Sequence, residues 1–255
     1  MRLSGDAYYN TSKLMDLKIV GTMGLTEDDV KAVQELSGVG NVEGAYSTDV
    51  ICGENDSQKV LHVESLNKKV NQLTLTEGHL PEKSGECFLD STFAASQEYE
   101  VGSKLVIRQD GDNGLLKTEE YTVTGIGKSP LYISFNRGNT TVGSGEVNGF
   151  AYVLPDEFDS EVFTQIYVRA NEVEKVTSYT DAYENLIDKI QKKVEGIEAE
   201  CCQIRYDEVM AEAQDKISDA EKELEDGKKE ADEKLADAKK KLDNGEKELE
   251  DGEKK

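Results

Sequence analysis

Cys52, Cys87, Cys201 and Cys202 are the four thiols of this chain, and His62 and His79 are its two imidazoles. Thiol and imidazole side chains are the usual zinc ligands and the usual nucleophile and base, so their spacing is the first thing to weigh. No C-x-x-C pair occurs, and neither histidine stands at a ligand spacing from a cysteine, so the pattern predicts no zinc site and no other metal site. Cys201 and Cys202 are adjacent. On a strand they would face opposite ways and could not bond to each other, and all four cysteines read as small buried apolar side chains. His62 sits in the apolar run KVLHVESL and reads as a packed core residue. Glu27, Asp28 and Asp29 form an acidic cluster, but it falls on the first turn of a predicted helix, where acids are stabilising without any further role. Gly143–Gly149, GSGEVNG, is rich in glycine, yet it has no lysine and opens no helix, so it does not read as a phosphate cradle. There is no H-E-x-x-H, no G-x-S-x-G, no P-loop and no dinucleotide fingerprint. The expectation is a protein with no catalytic residues and no cofactor, one that does not bind ATP.

The strongest pattern lies instead at the C-terminal end. From Asp207 to Lys255 there is neither proline nor an aromatic residue. Ile217, Ala220, Leu224, Gly227, Ala231, Leu235, Ala238, Leu242, Gly245, Leu249 and Gly252 recur with a mean step of about 3.5, the period of a left-handed coiled-coil seam. EKELEDGKKE from Glu221 returns as EKELEDGEKK from Glu246. The consecutive four-residue steps between Gly227 and Leu235 predict a stutter where the supercoil unwinds locally. Each seam glycine costs about 1 kcal/mol in a helix relative to alanine, a cost that close helix–helix approach can offset. The seam therefore predicts a partner helix, most simply a returning antiparallel one lying in sequence beyond Lys255, with a second copy of the chain as the other candidate. A solvated, charged single helix is the plainer alternative.

The elements that lead to this helix come in two kinds. Asp16–Gly21 is β-prone, and TEDDVKAVQEL follows as a helix with Thr26 as N-cap and Val30, Val33 and Leu36 on one face. Val42–Cys52 and Lys59–Leu66 alternate as two strands paired around GENDSQ. From about Asn71 to Pro155 the chain turns β-rich: ECFLD, a short helix capped by Ser91, then VGSKLVIRQ, LKTEEYTVTGIG and GFAYVLP, with an irregular ribbon from Ser129 to Gly149. Glu161–Ala170 is a further strand, SYTDAYENLIDKIQKKVEGI a helix with Tyr183, Leu186, Ile187, Ile190 and Val194 at helical spacing, and IEAECCQIRY a last strand. This predicts an α+β fold: a split β-α-β half in two segments (1–72 and 157–206), a β-rich insertion (73–156) and a C-terminal coiled-coil helix (207–255).

The net charge is −23 over 255 residues. The tail from residue 207 carries 19 acids against 11 bases, so the remainder is acidic as well. Such a field excludes nucleic acid as a partner and disfavours anionic lipid. No run reaches the eighteen or more apolar residues of a membrane span, and no signal-peptide core follows Met1. The chain begins abruptly, as a soluble piece cut from a membrane protein would, and as a cytoplasmic protein would too.

Four stretches carry a resemblance. They are LMDLKIVGTMGLTEDDVKAV (Leu14–Val33), EGHLPEKSGECFLD (Glu77–Asp90), YTVTGIGKSPLYIS (Tyr121–Ser134) and RGNTTVGSGEVNGFAYV (Arg137–Val153). Together they resemble the extracytoplasmic domain of FtsX-like, MacB-type ABC-transporter permeases, in particular the Gram-positive subset with a coiled-coil insertion. The likeness covers roughly residues 8–170 and rests on strand and turn signatures, not on catalytic residues. It implies a MacB-like periplasmic core, with a porter-type half made of the split β-α-β segments and a sabre-type insertion. It also implies an extracytoplasmic location on a membrane protein, an ABC ATPase subunit as partner through a membrane part, and a cell-wall or exported-substrate partner outside. The implied function is to couple ATP hydrolysis inside to export or mechanical signalling outside. Two other readings stand beside it: a surface adhesin on a coiled-coil stalk, and an enzyme hidden in the β-rich insertion.

Overall fold

This computed structural model describes residues 2–53, 58–109, 114–134 and 136–253. Chain contacts divide it into two units, Met1–Ala199 and Glu200–Lys255.

The first unit opens with a helix that the sequence reading did not anticipate, α1 (Arg2–Thr11). Strand β1 (Leu17–Leu25) then leads into α2 (Glu27–Gln34). Thr26 caps α2 as expected. Its hydroxyl accepts the Asp29 N–H while the Asp29 carboxylate accepts the Thr26 N–H, a reciprocal capping box. Strand β2 (Val39–Ala45) follows. With β10 (Phe163–Ala170), these strands build an antiparallel three-stranded sheet in the order β1-β10-β2. One face of that sheet packs against helices. Val33 of α2 and Ile187 and Ile190 of α4 (Asp181–Glu253) bury against Val42, Ile166, Val168 and Ala170, with Val194 and Ile197 completing the apolar stripe.

The expected strand Val42–Cys52 is two strands. It breaks at Tyr46, so that β2 stays in the small sheet while β3 (Ser47–Cys52) enters a second sheet. The other members of that sheet are β4 (Lys59–Ser65), β5 (Thr74–Gly78), β6 (Glu86–Asp90), β7 (Lys104–Arg108), β8 (Glu120–Lys128) and β9 (Gly149–Val153). The pairings close on themselves: β3 with β4, β4 with β9, β9 with β6, β6 with β8, β8 with β7, and β7 back to β3. Six strands thus form a closed barrel, and β5 extends from β8 as an exposed flap. Closure removes the edges that an open sheet would present. Alternation then sends every second side chain inward. Val50 and Cys52, Leu61 and Val63, Cys87 and Leu89, Leu105 and Ile107, Tyr121 and Val123, and Ala151 and Val153 share one core, joined by Phe93 and Ala94 of the short helix α3 (Ser91–Ser96). The cap of α3 is Asp90, whose carboxylate accepts the Thr92 N–H; Ser91 is its first residue and not its cap. By pairing, β3 and β4 belong to the barrel although they precede residue 73 in sequence.

IEAECCQIRY is not a strand. It lies within α4, which runs from Asp181 to Glu253, so the small sheet gains no strand after β10. The reason is cooperative. Helix-forming residues flank the segment on both sides, and propagation through its β-branched and cysteine residues costs less than ending one helix and nucleating another. The expectation for the cysteines divides accordingly. Cys52 and Cys87 are buried in the barrel, whereas Cys201 and Cys202 are helical, and Cys202 is exposed.

The second unit, Glu200–Lys255, is helical throughout its described residues. No helix among the described residues is long and apolar enough to cross a membrane.

Candidate functional site

In β4 the residues Leu61 and Val63 point into the barrel, so His62 and Glu64 emerge on its outer face. The expectation that His62 is a core residue is corrected by this register. Its side chain keeps 23 % of its surface exposed, and Nδ1 shares a 2.6 Å hydrogen bond with Asp49 of β3. Burial pushes the Asp49 carboxyl up, but hydrogen bonds from His62 and Thr140 and the His62 charge outweigh it and leave the carboxyl below its usual range.

Glu64 is 2 % exposed. A buried carboxylate is costly unless its lone pairs are satisfied. Here Oε1 accepts the Tyr132 hydroxyl at 2.8 Å and Oε2 accepts the Tyr167 hydroxyl at 3.0 Å, while His62 Nε2 stands 3.6 Å from Oε1. Tyr167 belongs to β10 of the small sheet, and Gln165 on the same strand donates to its hydroxyl at 2.6 Å. Burial first, and the adjacent Glu64 charge second, push the phenols of Tyr132, Tyr152 and Tyr167 well above their ordinary value. They therefore act as hydrogen-bond donors. Further contacts fasten the same junction: the Ser47 N–H donates to Thr164 Oγ1 at 2.8 Å, and the Tyr46 N–H to Ser65 Oγ at 3.0 Å.

The ribbon after β8 clasps this face. Tyr132 stacks on Phe150 of β9 with centroids 4.7 Å apart, and Ser129 and Tyr152 share a 2.8 Å hydrogen bond. Arg137 holds the ribbon down. Its Nε and Nη2 grip the two oxygens of Asp90 at 2.9 and 3.1 Å, its Nη1 donates to the carbonyls of Tyr132 and Ser134, and its guanidinium lies 5.5 Å from the Phe150 ring. A forked, nearly buried pair of this kind fixes geometry more than it adds stability. The cleft of about 420 Å³ beside it is lined by Tyr132, Phe150, Lys128 and Ser134 among others. The ribbon reading from Ser129 to Gly149 is correct in outline, but the residues that organise it went unrecognised. A glutamate within an apolar alternating strand was the one signal in the sequence that could have pointed to Glu64.

The predicted seam residues all fall on α4. Within the second unit Ile217, Leu224, Leu235 and Leu242 are 54 %, 75 %, 72 % and 65 % exposed, and Ala220, Ala231 and Ala238 are exposed too. A Cβ placed at Gly227 or Gly245 would meet nothing within 4 Å. The burial of Leu249 and Gly252 lies outside the described residues. Within that unit no described residue covers the seam. Among the described residues no group of three or more metal-ligating side chains comes together.

The chain is similar to the extracellular domain of the noncanonic ABC-type transporter YknZ from Gram-positive bacteria, at 13 % identity and TM-score 0.40 over 65 % of this chain and 80 % of that one. It is similar to the periplasmic region of MacB from Actinobacillus actinomycetemcomitans, at 13 % identity and TM-score 0.41 over 70 % and 76 %. It is also similar to a domain of a permease protein from Porphyromonas gingivalis, at 12 % identity and TM-score 0.34 over 69 % and 74 %. No curated protein matches it. The sequence profile of the MacB-like periplasmic core domain matches residues 4–186, a span that takes in the small sheet, the barrel and the Glu64 junction between them. The chain belongs to the family of MacB-like periplasmic core domains.

Proposed function

We propose that this chain is the non-catalytic, extracytoplasmic domain of an ABC-transporter permease, and that it couples ATP hydrolysis inside the cell to export or mechanical signalling outside. The observation that carries the reading is the family match over residues 4–186. The junction supports it. Tyr132 and Tyr167 both donate to Glu64, Tyr152 bonds Ser129 and Arg137 grips Asp90, an arrangement suited to holding parts in register. On this reading the porter-like half is residues 1–72 and 157–206, and the sabre-like part is 73–156, with Ser47–Cys52 and Lys59–Ser65 paired into the barrel across that boundary. Residues 207–255 form one arm of a coiled coil. Its seam, from Ile217 to Leu249, takes the returning antiparallel helix of the same protein. Exposed leucines at a 3.5-residue period, and glycines with open space around them, gain from close approach of a second helix and gain nothing from solvent. The partners on this reading are an ABC ATPase subunit, reached through a membrane part, and a cell-wall or exported partner outside.

Affinity purification of the full-length gene product from its own membranes tests this. Co-purification of an ABC ATPase, with hydrophobic spans flanking the domain in the gene, is the expected result. A single terminal anchor and no ATPase would support the adhesin on a coiled-coil stalk instead.

A further inference from the structure

Arg169, on β10, is 9 % exposed, yet the one hydrogen bond of its guanidinium among the described residues runs from Nη2 to the neutral Asn10 Oδ1 at 3.0 Å. No carboxylate among the described residues lies within ion-pair distance of it. A guanidinium has five N–H donors, and burying it without an anion is costly. Arg169 lines a pocket of about 110 Å³ together with Tyr9, Asn10, Asp16, Tyr179 and Tyr183, with Ser178 beside them. That is several times the roughly 10–15 Å³ that admits one water. The pocket reaches solvent past Tyr179, which is 71 % exposed. Its walls are pinned from three elements. Asp6 of α1 accepts the Ser178 N–H at 3.0 Å, and Asp16 accepts the Ala170 N–H and the Tyr183 hydroxyl, each at 2.8 Å.

We propose that this pocket binds a small oxyanion, a carboxylate or phosphate group, in the fork of Arg169. The ligand is either free in solution or carried as a lipid headgroup, since both present the same chemistry. A planar fork recognises such oxygens bidentately. Tyr9 and Tyr179 also line the pocket, their hydroxyls 3.5 Å from each other.

The complication is Asp16, whose own charge faces the same space. Burial raises its carboxyl above the ordinary range, against the opposing pull of the Ala170 N–H, the Tyr183 hydroxyl and the Arg169 charge. The other polar side chains around it are the phenols of Tyr9 and Tyr179 and the neutral Asn10. A second anion beside Asp16 raises its proton affinity further. Asp16 therefore takes up a proton as the anion enters and shares it with the bound oxygen. Binding strengthens as pH falls.

The test is NMR titration of the whole chain with sodium acetate and with inorganic phosphate, at about pH 5.5 and about pH 7.5. Saturable shifts at the amides of Asp16, Ala170, Ser178 and Tyr179 are expected, with tighter binding at the lower pH. Arg169→Gln should weaken binding by roughly tenfold or more. Asn10→Asp keeps Arg169 buried and gives it an internal carboxylate, so it should abolish binding while raising Tm. A vesicle arm identifies the source. Co-sedimentation with phosphatidic acid vesicles, absent with phosphatidylcholine and lost in Asn10→Asp, assigns the headgroup; saturable shifts without co-sedimentation assign the free anion. Absence of saturable shifts in the wild type, or equal binding by wild type and Asn10→Asp, overturns the proposal.

Discussion

Tyr167 of the small sheet donates a 3.0 Å hydrogen bond to Glu64 on the outer wall of the barrel, across 103 residues of sequence. This bond is the buried polar link between two sheets that share no strand. Its acceptor is a charge with almost no solvent contact, so removing the donor leaves part of that charge unsatisfied. Tyr167→Phe should cost about 1.5–3 kcal/mol of stability. A double-mutant cycle with Glu64→Gln in urea melts should show a coupling well above the roughly 0.3–0.5 kcal/mol scatter of independent sites. Additive losses would mean that the Tyr167–Glu64 bond does not couple the two sheets.

The neighbouring Asp49–His62 pair predicts a pH dependence. The folded Asp49 carboxyl lies below its ordinary value. A depressed carboxyl contributes stability that is present above the unfolded value, about 3.9 for Asp, and lost as pH falls through the folded value. Asp49→Asn should thus be less stable than wild type at neutral pH, and the gap should close in acid below about pH 4. A gap that widens in acid would show the sign to be wrong.

The thiols supply a probe of unfolding. Burial pushes Cys52 up to about 11 and Cys87 up to about 12, so neither supplies thiolate near neutrality. Cys202 is exposed on α4. Iodoacetamide at neutral pH should label Cys202 in the native protein and reach Cys52 and Cys87 only on a timescale set by unfolding. Rapid native labelling of Cys87 would show that the barrel opens locally.

How far the fold was legible depended on the range of the interactions involved. Thr26 and Asp29 are three residues apart, and the alternation of Phe163–Ala170 is a property of that segment alone, so both could be read directly. The barrel could not, because its closure depends on pairings such as Leu61 with Gly149. No local pattern encodes them. The same holds for Glu64. Its place in an alternating strand marks it as outward-facing, but its burial comes from Tyr132 and Tyr167, 68 and 103 residues away. IEAECCQIRY misled because its composition suits a strand, while the helix formers on either side decide the outcome. The seam positions were legible as a period; on the proposed reading a second helix covers them.

Removal of the charged arm separates the two units. Every described strand lies before residue 171, and the cores of both sheets lie within Met1–Ala199. A chain ending at Tyr206 should keep a single cooperative melt by circular dichroism. An unfolded product would make the helix part of the core.

The central claim is that the seam of α4 transmits movement generated by ATP hydrolysis. Replacing Leu235 and Leu242 with Asp in the parent permease puts charge on adjacent layers of the seam, where desolvation costs several kcal/mol if a partner helix buries them. The decisive measurement is ATPase activity in membranes, read beside complementation of the deleted gene. The account predicts that hydrolysis persists while complementation fails, because the transmitting helix pair is broken and the motor is intact. Normal complementation by the double variant would contradict it and would make the seam a solvated face.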